Sequence, residues 1–119
     1  MTINETSKIY ERPWGTYQTL AQENHFQTKI LTVFPKGRLS LQKHFKRSEH
    51  WIVVTGTPTI TLQNETKIYH PDDHIYIPID ALHRIENFSD DIVKIIEVQV
   101  GSYLGEDDIV RVEDTYGRA

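Results

Sequence analysis

The chain has 119 residues, of which 38% are hydrophobic and 25% are charged, so it can build one domain with a real core but not two. Its formal net charge is −4, and no basic stripe alternates with exposed aromatic residues, which argues against a nucleic-acid binder. It contains no cysteine, which excludes disulfides, thiolate metal sites and thiol nucleophiles.

Residues 1–15 are predicted to form an N-terminal arm of a single domain that spans residues 1–119. Met1 to Glu5 is polar and lacks the apolar segment of a secretion signal, and the longest purely apolar run is Trp51 to Val54. We therefore expect a cytoplasmic protein without a membrane segment. Ile9 and Tyr10 offer apolar side chains for pairing with a neighbouring strand or with a second subunit.

Short runs rich in β-branched and aromatic residues follow, separated by turn residues. The predicted strands lie near Thr16–Ala21, Phe26–Phe34, Ser40–His44, Trp51–Thr55, Thr57–Leu62, Thr66–His70, His74–Ile77, His83–Asn87 and Ile92–Val100. This pattern, without a helical stripe, predicts an all-β antiparallel barrel or double sheet over residues 16–100. The acidic extension, residues 101–119, is expected to form a short helix or a loop packed on the outside of the barrel.

Candidate metal ligands lie in and after the third predicted strand. Strand alternation places Gln42 and His44 on one face. Glu49 opens the next apolar run, so a reversal of the chain would return its carboxylate to that pair, and His83 would be the fourth ligand. An amide oxygen, two imidazoles and a carboxylate suit zinc, manganese, iron, cobalt or nickel. Each residue taken singly also fits an ordinary surface or core position, and only the spacing favours a metal site.

Both stretches resemble the two cupin sequence motifs. Gln42, His44, Glu49 and Gly56 match the first motif, and a second set matches the second motif: Pro78, His83 and Asn87. The chain departs from the motifs at positions that usually carry glycine, namely Lys36, Asp72 and Asp80. These departures affect turns rather than the ligands.

From Arg12 to Arg118 the chain resembles the cupin domain of type II phosphomannose isomerases, usually found as the C-terminal part of bifunctional mannose-1-phosphate guanylyltransferases. The matching residues are 12–15, 17, 39–42, 44, 47, 49–54, 76–78, 83–84, 86–87, 97–99, 101–111, 113–114 and 116–118, and those of the tail from Gly101 are the most specific. Phe45 departs from the family, which usually carries another histidine or a polar residue there. The resemblance implies a cupin-type double-stranded β-helix, a jelly-roll barrel. No glycine-rich nucleotide loop is present, so we do not expect this chain alone to transfer a guanylyl group.

The resemblance also implies an activity, the interconversion of mannose 6-phosphate and fructose 6-phosphate for GDP-mannose and polysaccharide precursors. Gln42, His44, Glu49 and His83 would hold a divalent metal ion, with zinc expected first and manganese, cobalt, nickel or iron as alternatives. The proton transfer between C2 and C1 needs a Lewis acid, a base and cations for the phosphate.

The base and the phosphate ligands are harder to assign. Glu97 has the phase of Ile95 in its strand, which is compatible with a cavity-facing base and equally with a solvent-facing carboxylate. Lys29 is a further catalytic candidate. It lies in an otherwise apolar strand, and a surface position for its side chain is slightly favoured over an inward one. Arg84 follows His83, so alternation points it to the opposite face, although the resemblance keeps it as a catalytic or phosphate candidate. The other phosphate candidates are Arg12, Arg38, Lys43 and Arg47.

Three functions remain open from the sequence. The first is the metal-dependent isomerase acting on a phosphosugar. The second is a non-catalytic cupin that binds a sugar or sugar nucleotide beside a separately encoded guanylyltransferase. The third, an iron-dependent dioxygenase, is disfavoured because Gln42 stands in place of an imidazole. A homodimer is the expected assembly, as for cupins generally.

Overall fold

Eleven strands form the fold of residues 8–116, the part of the chain that the computed structural model describes. They are β1 (Ile9–Arg12), β2 (Gly15–Gln22), β3 (Phe26–Val33), β4 (Leu41–Lys43), β5 (Arg47–Thr55), β6 (Thr59–Leu62), β7 (Glu65–Ile68), β8 (His74–Ile77), β9 (His83–Glu86), β10 (Val93–Gly101) and β11 (Val110–Glu113). One sheet has the order β1-β2-β3-β10-β5-β8 and the other β11-β4-β9-β6-β7. The predicted all-β, double-sheet architecture is confirmed. No helix among these residues has the length and apolar character needed to cross a membrane.

The inward faces of β3 and β10 change from apolar to polar along their length. The register pairs Val93 with Val33, Ile95 with Leu31, Glu97 with Lys29 and Gln99 with Gln27, and all eight residues are buried. The apolar half joins the hydrophobic core, where burial of each large side chain stabilises the fold by about 1.5–3 kcal/mol. The polar half is left to line a cavity at the other end of the barrel.

The core lies between the two sheets. Among residues 8–116 it contains thirteen buried hydrophobic residues: Trp14, Leu31, Val33, Leu39, Trp51, Val53, Ile60, Ile75, Ile77, Ala81, Ile85, Val93 and Ile95. Trp51 is only 2% exposed, which confirms the interpretation that it packs inside the barrel.

Three positions that depart from the cupin glycines keep a glycine-like backbone. Lys36, Asp72 and Asp80 have φ angles of 68°, 79° and 67°. The left-handed conformation costs a non-glycine residue roughly 1–2 kcal/mol. The turns therefore survive the loss of glycine, and the chain carries the strain. Gly56, with φ of 85°, is retained, and a Cβ there would lie 2.6 Å from the carbonyl oxygen of Ile92.

Both ends of the described chain pair with neighbouring strands. Residues 9–12 form β1, which pairs with β2 from Ile9 opposite Gln18 to Arg12 opposite Gly15, so the predicted pairing of Ile9 and Tyr10 with a neighbouring strand is confirmed. In the extension, the predicted helix or outer loop is wrong at residues 110–113, which form β11 on the edge of β4. Strand pairing satisfies backbone groups that an unpaired edge would leave open. The remainder of the predicted arm and tail, residues 1–7 and 117–119, lies outside the described residues.

Strand β5 also begins four residues earlier than the predicted strand at Trp51. Arg47 and Glu49 interrupt the apolar pattern, yet they pair with Gly101 and Gln99 of β10. Both side chains point into the barrel. The polar residues that interrupt the strand pattern are therefore the ones that build the site.

Candidate metal centre

His44, Glu49 and His83 meet inside the barrel. Their side chains offer one ligand atom each, and these atoms lie within 4.8 Å of one another. The three residues are 4%, 2% and 3% exposed. β5 carries Glu49, β9 begins at His83, and His44 directly follows β4. Three of the four predicted ligands are thus brought together as the sequence spacing predicts.

Both imidazoles are oriented by backbone carbonyl groups. Nδ1 of His44 lies 2.6 Å from the carbonyl oxygen of Asp108, and Nδ1 of His83 lies 2.9 Å from that of Ala81. A carbonyl can only accept, so Nδ1 carries the proton and Nε2 keeps its lone pair. Burial lowers the pKa of both histidines, which favours the neutral form that a metal requires. The donor set therefore fits a divalent metal ion.

Glu49 is held as a carboxylate by two donors. The indole Nε1 of Trp51 donates to Oε1 at 2.9 Å, and Nε of Arg47 donates to Oε2 at 2.9 Å. Burial by itself raises the pKa of Glu49, but the surrounding His83, Arg47 and His44 with the Trp51 hydrogen bond lower it more, so the pKa falls below its usual value. Glu49 is consequently ionised and able to ligate.

Arg47 contacts the same atoms that a metal would use. Its Nη2 lies 3.2 Å from Nε2 of His44, in addition to the bond from Nε to Glu49. The guanidinium group therefore balances the ligand carboxylate and satisfies the imidazole lone pair. A metal ion bound here has to displace these contacts.

Gln42, the fourth predicted ligand, lies beside the cluster. It stands directly opposite His83 in the β4–β9 pairing, and its side chain lines the cavity into which the cluster faces. Its amide nitrogen is 3.5 Å from the carbonyl oxygen of Ser40. Ligation by the amide oxygen stays a prediction.

The predicted base, Glu97, is buried in the same cavity. It stands opposite Trp51 of β5, two positions along the ladder from the pair formed by Gln99 and Glu49. Nε2 of Gln99 donates to the Glu97 carboxylate. Burial, reinforced by the negative charge of Glu49, raises the pKa of Glu97 to about 8. The solvent-facing alternative is wrong.

Lys29 is likewise buried, so the favoured surface position is wrong. Its register partner is Glu97, and its ammonium group pairs with Glu106 and lies 4.5 Å from the ring centroid of Tyr17. Lys29 has the same strand phase as Leu31 and Val33, which fill the core, so its side chain points inward with theirs.

Arg84 is buried and lines the cavity, but its donors are used by the backbone and the tail. Nε donates to the carbonyl oxygen of Leu39 at 3.0 Å, and Nη1 donates to Glu113 at 2.9 Å. Arg84 thus forms an ion pair with Glu113, but the exterior position that alternation predicts is wrong, because the Arg84 side chain is buried. A catalytic or phosphate role for Arg84 stays a prediction.

Two of the predicted phosphate ligands lie away from the cavity. Arg38 pairs with Glu86 at 2.7 Å and Glu113 at 3.3 Å, and Lys43 lies 3.3 Å from Asp80. Among residues 8–116, neither belongs to the lining of this cavity. Lys43 alternates with Gln42 and His44, which accounts for its outward direction. Arg12 and Arg47 do line it.

The family described as "Mannose-6-phosphate isomerase C-terminal" matches residues 2–114. The chain belongs to this family.

Relatives of this mannose-6-phosphate isomerase C-terminal domain are much longer proteins. The chain is 51% identical over 107 residues to the alginate biosynthesis protein AlgA of Pseudomonas aeruginosa, covering 90% of the chain and 22% of AlgA. It is 48% identical over 112 residues to a mannose-1-phosphate guanylyltransferase of Sinorhizobium fredii, covering 94% of the chain and 22% of that enzyme. The chain thus spans about a fifth of the length of these curated relatives.

The fold of the domain recurs in solved structures. An uncharacterized conserved protein with a double-stranded β-helix domain from Klebsiella pneumoniae matches with a TM-score of 0.76 at 12% identity, over 96% of each chain. The cupin-type double-stranded β-helix expected from the sequence is confirmed by this likeness, which concerns the fold alone.

The sequence missed how the C-terminal tail of this family domain completes the site. Asp108 supplies the carbonyl oxygen that orients His44, and its carboxylate accepts from the backbone amides of Phe45 and Lys46 at 3.1 and 2.9 Å. Glu106 and Arg111 line the cavity. The available signal was the specificity of the tail itself, since a tail that matches residue by residue indicates more than an outer loop.

Proposed function

We propose that the chain is a metal-dependent aldose–ketose isomerase that interconverts mannose 6-phosphate and fructose 6-phosphate in the cytoplasm, for GDP-mannose and polysaccharide precursors. The observation that carries this proposal is the buried cluster of His44, Glu49 and His83 in one cavity with Glu97, whose pKa is raised to about 8. Membership of the mannose-6-phosphate isomerase C-terminal family supports the choice of reaction.

The metal would be held by His44, Glu49 and His83, with Gln42 as the fourth ligand. A set of nitrogen and oxygen donors without thiolate suits zinc first, with manganese, cobalt, nickel or iron as alternatives. When bound, the ion supplies a Lewis acid for the oxygens at C1 and C2. The carbonyls of Asp108 and Ala81 orient the two imidazoles for this purpose.

Glu97 would move the proton between C2 and C1. A group with a pKa of about 8 is populated in both protonation states near neutral pH, which suits a residue that takes a proton and returns it. Its partner Gln99 can donate to the carboxylate and fix its direction. Lys29, the register partner of Glu97, would help to balance the negative charge that develops on the enediol.

The test is a coupled assay of fructose 6-phosphate formation from mannose 6-phosphate, on the purified full chain with each divalent metal. We expect metal-dependent turnover that His44→Ala abolishes. His74→Ala is the matched control, because His74 is exposed on β8. An absence of turnover with every metal would contradict the proposal.

A second candidate is a non-catalytic cupin that binds a sugar or sugar nucleotide beside a separate guanylyltransferase. It is favoured by the similarity of the chain to a relative named as mannose-1-phosphate guanylyltransferase. Metal binding without turnover, together with measurable sugar-nucleotide affinity, would support this candidate instead. A homodimer is proposed for either function, and light scattering of the purified chain would test it.

A further inference from the structure

Two buried glutamines stand beside the proposed base in the polar half of the barrel. Gln27 of β3 lies directly opposite Gln99 of β10, one inward-facing pair beyond Lys29 and Glu97. The two glutamines are 5% and 1% exposed. A buried side-chain amide keeps its two N–H donors and its acceptor oxygen, and these need partners inside the protein. The hydrogen bonds of this pair are therefore fixed by what surrounds it.

The amide of Gln27 is anchored by the backbone of the C-terminal tail. Its Nε2 donates to the carbonyl oxygen of Leu104 at 3.2 Å and to Oε1 of Gln99 at 2.5 Å. A backbone carbonyl oxygen can only accept, so Gln27 has to turn its nitrogen toward Leu104. Because the same nitrogen contacts Gln99, the atom that Gln99 presents to it has to be the oxygen.

This order of atoms continues to the proposed base. With its oxygen turned to Gln27, Gln99 turns its Nε2 to Glu97 and donates to Oε1 of that carboxyl group. Oε1 is thus an acceptor, which favours Oε2 as the atom that carries the proton when Glu97 is protonated. A reversed Gln99 amide would instead place its oxygen against the ionised carboxylate, a contact between two acceptors.

Gln27 itself does not reach the space in which a ligand would lie. Among residues 8–116, the lining of the cavity includes Gln99 and Glu97 but not Gln27. An effect of Gln27 on the reaction therefore has to pass through Gln99, and it should concern the chemical step rather than the binding of the sugar.

We propose that Gln27 is a positioning residue of the isomerase, which acts through Gln99 to hold Oε1 of Glu97 as an acceptor and to leave Oε2 to exchange the proton with the sugar. This inference rests on the proposed function for the role of Glu97 as the base. The carbonyl group of Leu104 sets the direction of the whole hydrogen-bond chain. The C-terminal tail thereby orients the base, as it orients His44 through the carbonyl group of Asp108.

Steady-state kinetics of the full chain loaded with zinc, with mannose 6-phosphate as the substrate, tests the proposal. Gln27→Met keeps the length of the side chain and removes its amide. It is expected to lower kcat by about tenfold or more, because the base loses its fixed direction, while KM changes much less. Gln63→Met is the matched control, since Gln63 is exposed in the turn between β6 and β7, and it should change neither constant.

A double variant separates positioning from a general loss of packing. Gln99→Met should lower kcat at least as much as Gln27→Met does. Adding Gln27→Met to Gln99→Met should then cause no further loss, because the path from Gln27 to Glu97 is already broken. Losses in kcat that multiply in the double variant would overturn the proposal, and so would an unchanged kcat in Gln27→Met.

Hydrogen exchange of the side-chain amides distinguishes this inference from the proposed function. In the wild-type chain, NMR should show that the Nε2 protons of Gln27 and Gln99 exchange with solvent much more slowly than those of Gln63, and Gln27→Met should speed the exchange at Gln99. Protected amides in a chain without turnover would contradict the isomerase and support the hydrogen-bond chain. Wild-type Gln27 and Gln99 amides that exchange as fast as that of Gln63 would overturn the chain, whatever the turnover.

Discussion

Asp108 orients His44 through its backbone carbonyl group, and its side chain holds the connection between β4 and β5. Its carbonyl oxygen accepts from Nδ1 of His44 at 2.6 Å, while its carboxylate accepts from the amides of Phe45 and Lys46. The tail that carries Asp108 is 64 residues from His44 along the chain. His44, a candidate metal ligand, is thus positioned by the C-terminal extension, which the sequence predicts to lie on the outside of the barrel.

Removing the Asp108 carboxylate should therefore weaken metal binding. Asp108→Ala leaves two amides without their acceptor and loosens the connection that carries His44. We expect zinc affinity to fall roughly tenfold or more, as is typical for partners of metal ligands. Competition titration with a chromophoric chelator measures it, with the exposed Asp90→Ala as the charge-matched control. An unchanged zinc affinity in Asp108→Ala would show that the tail does not support the site.

Arg47 should compete with the metal. Its guanidinium group donates to Glu49 and to Nε2 of His44, so metal binding must break both contacts. Arg47→Met leaves the Glu49 carboxylate buried without this partner, which should lower the stability of the metal-free chain by about 3–5 kcal/mol. Saturating zinc should restore much of that loss. The rise in Tm on adding zinc is therefore expected to be larger in Arg47→Met than in wild type, and an equal or smaller rise would refute the competition.

Glu97 should make the metal-free chain less stable as the pH rises. Its pKa is raised from 4.5 to about 8, so the folded chain holds a proton that the unfolded chain has released between these values. The contribution is complete below about pH 4.5 and is lost as the pH rises through about 8. Glu97→Gln cannot ionise and should escape this loss.

The difference in unfolding free energy between Glu97→Gln and wild type is the measurement. It should grow in favour of the variant by up to about 1.4 kcal/mol per pH unit across this window. Urea unfolding at pH 5 and pH 9 determines it, and the exposed Glu11→Gln serves as the control. A difference that is the same at both pH values would mean that the Glu97 carboxyl titrates normally.

Lys36 offers a test of the strained turns. Its φ of 68° is costly for lysine and free for glycine, and its side chain is exposed. Lys36→Gly should stabilise the chain by about 0.5–1 kcal/mol after the larger entropy of unfolded glycine is subtracted. Lys36→Ala keeps the strain and should show no gain. Urea unfolding compares the two, and a less stable glycine variant would contradict the assignment of strain.

The sequence predicts most of this fold because strand alternation and turn residues are local signals. All nine predicted strands occur, and the three clustered ligands follow from the spacing of His44, Glu49 and His83. The pattern fails at Arg47 and Lys29, where polar residues face inward. Composition alone treats such residues as surface, since only the cavity makes their burial possible.

The tail is the other limit of sequence reasoning. β11 is short and exposed at Val110, so its alternation carries little information. The contribution of Asp108 to His44 is a backbone contact across 64 residues, for which side-chain identity gives no signal. Arg38 and Arg111 look alike in the sequence, and only the pairing partners, Glu86 for one and Gln42 for the other, separate them.

The number of metal ions bound per chain tests the central claim most directly. The purified chain, stripped with chelator and reloaded with cobalt, should bind one ion per chain and show the visible absorption of a cobalt site with imidazole and carboxylate ligands. His44→Ala and His83→Ala should lose both the absorption and the stoichiometric ion, while His74→Ala keeps them. A wild-type chain that binds no ion, or histidine variants that bind as well as wild type, would contradict the account.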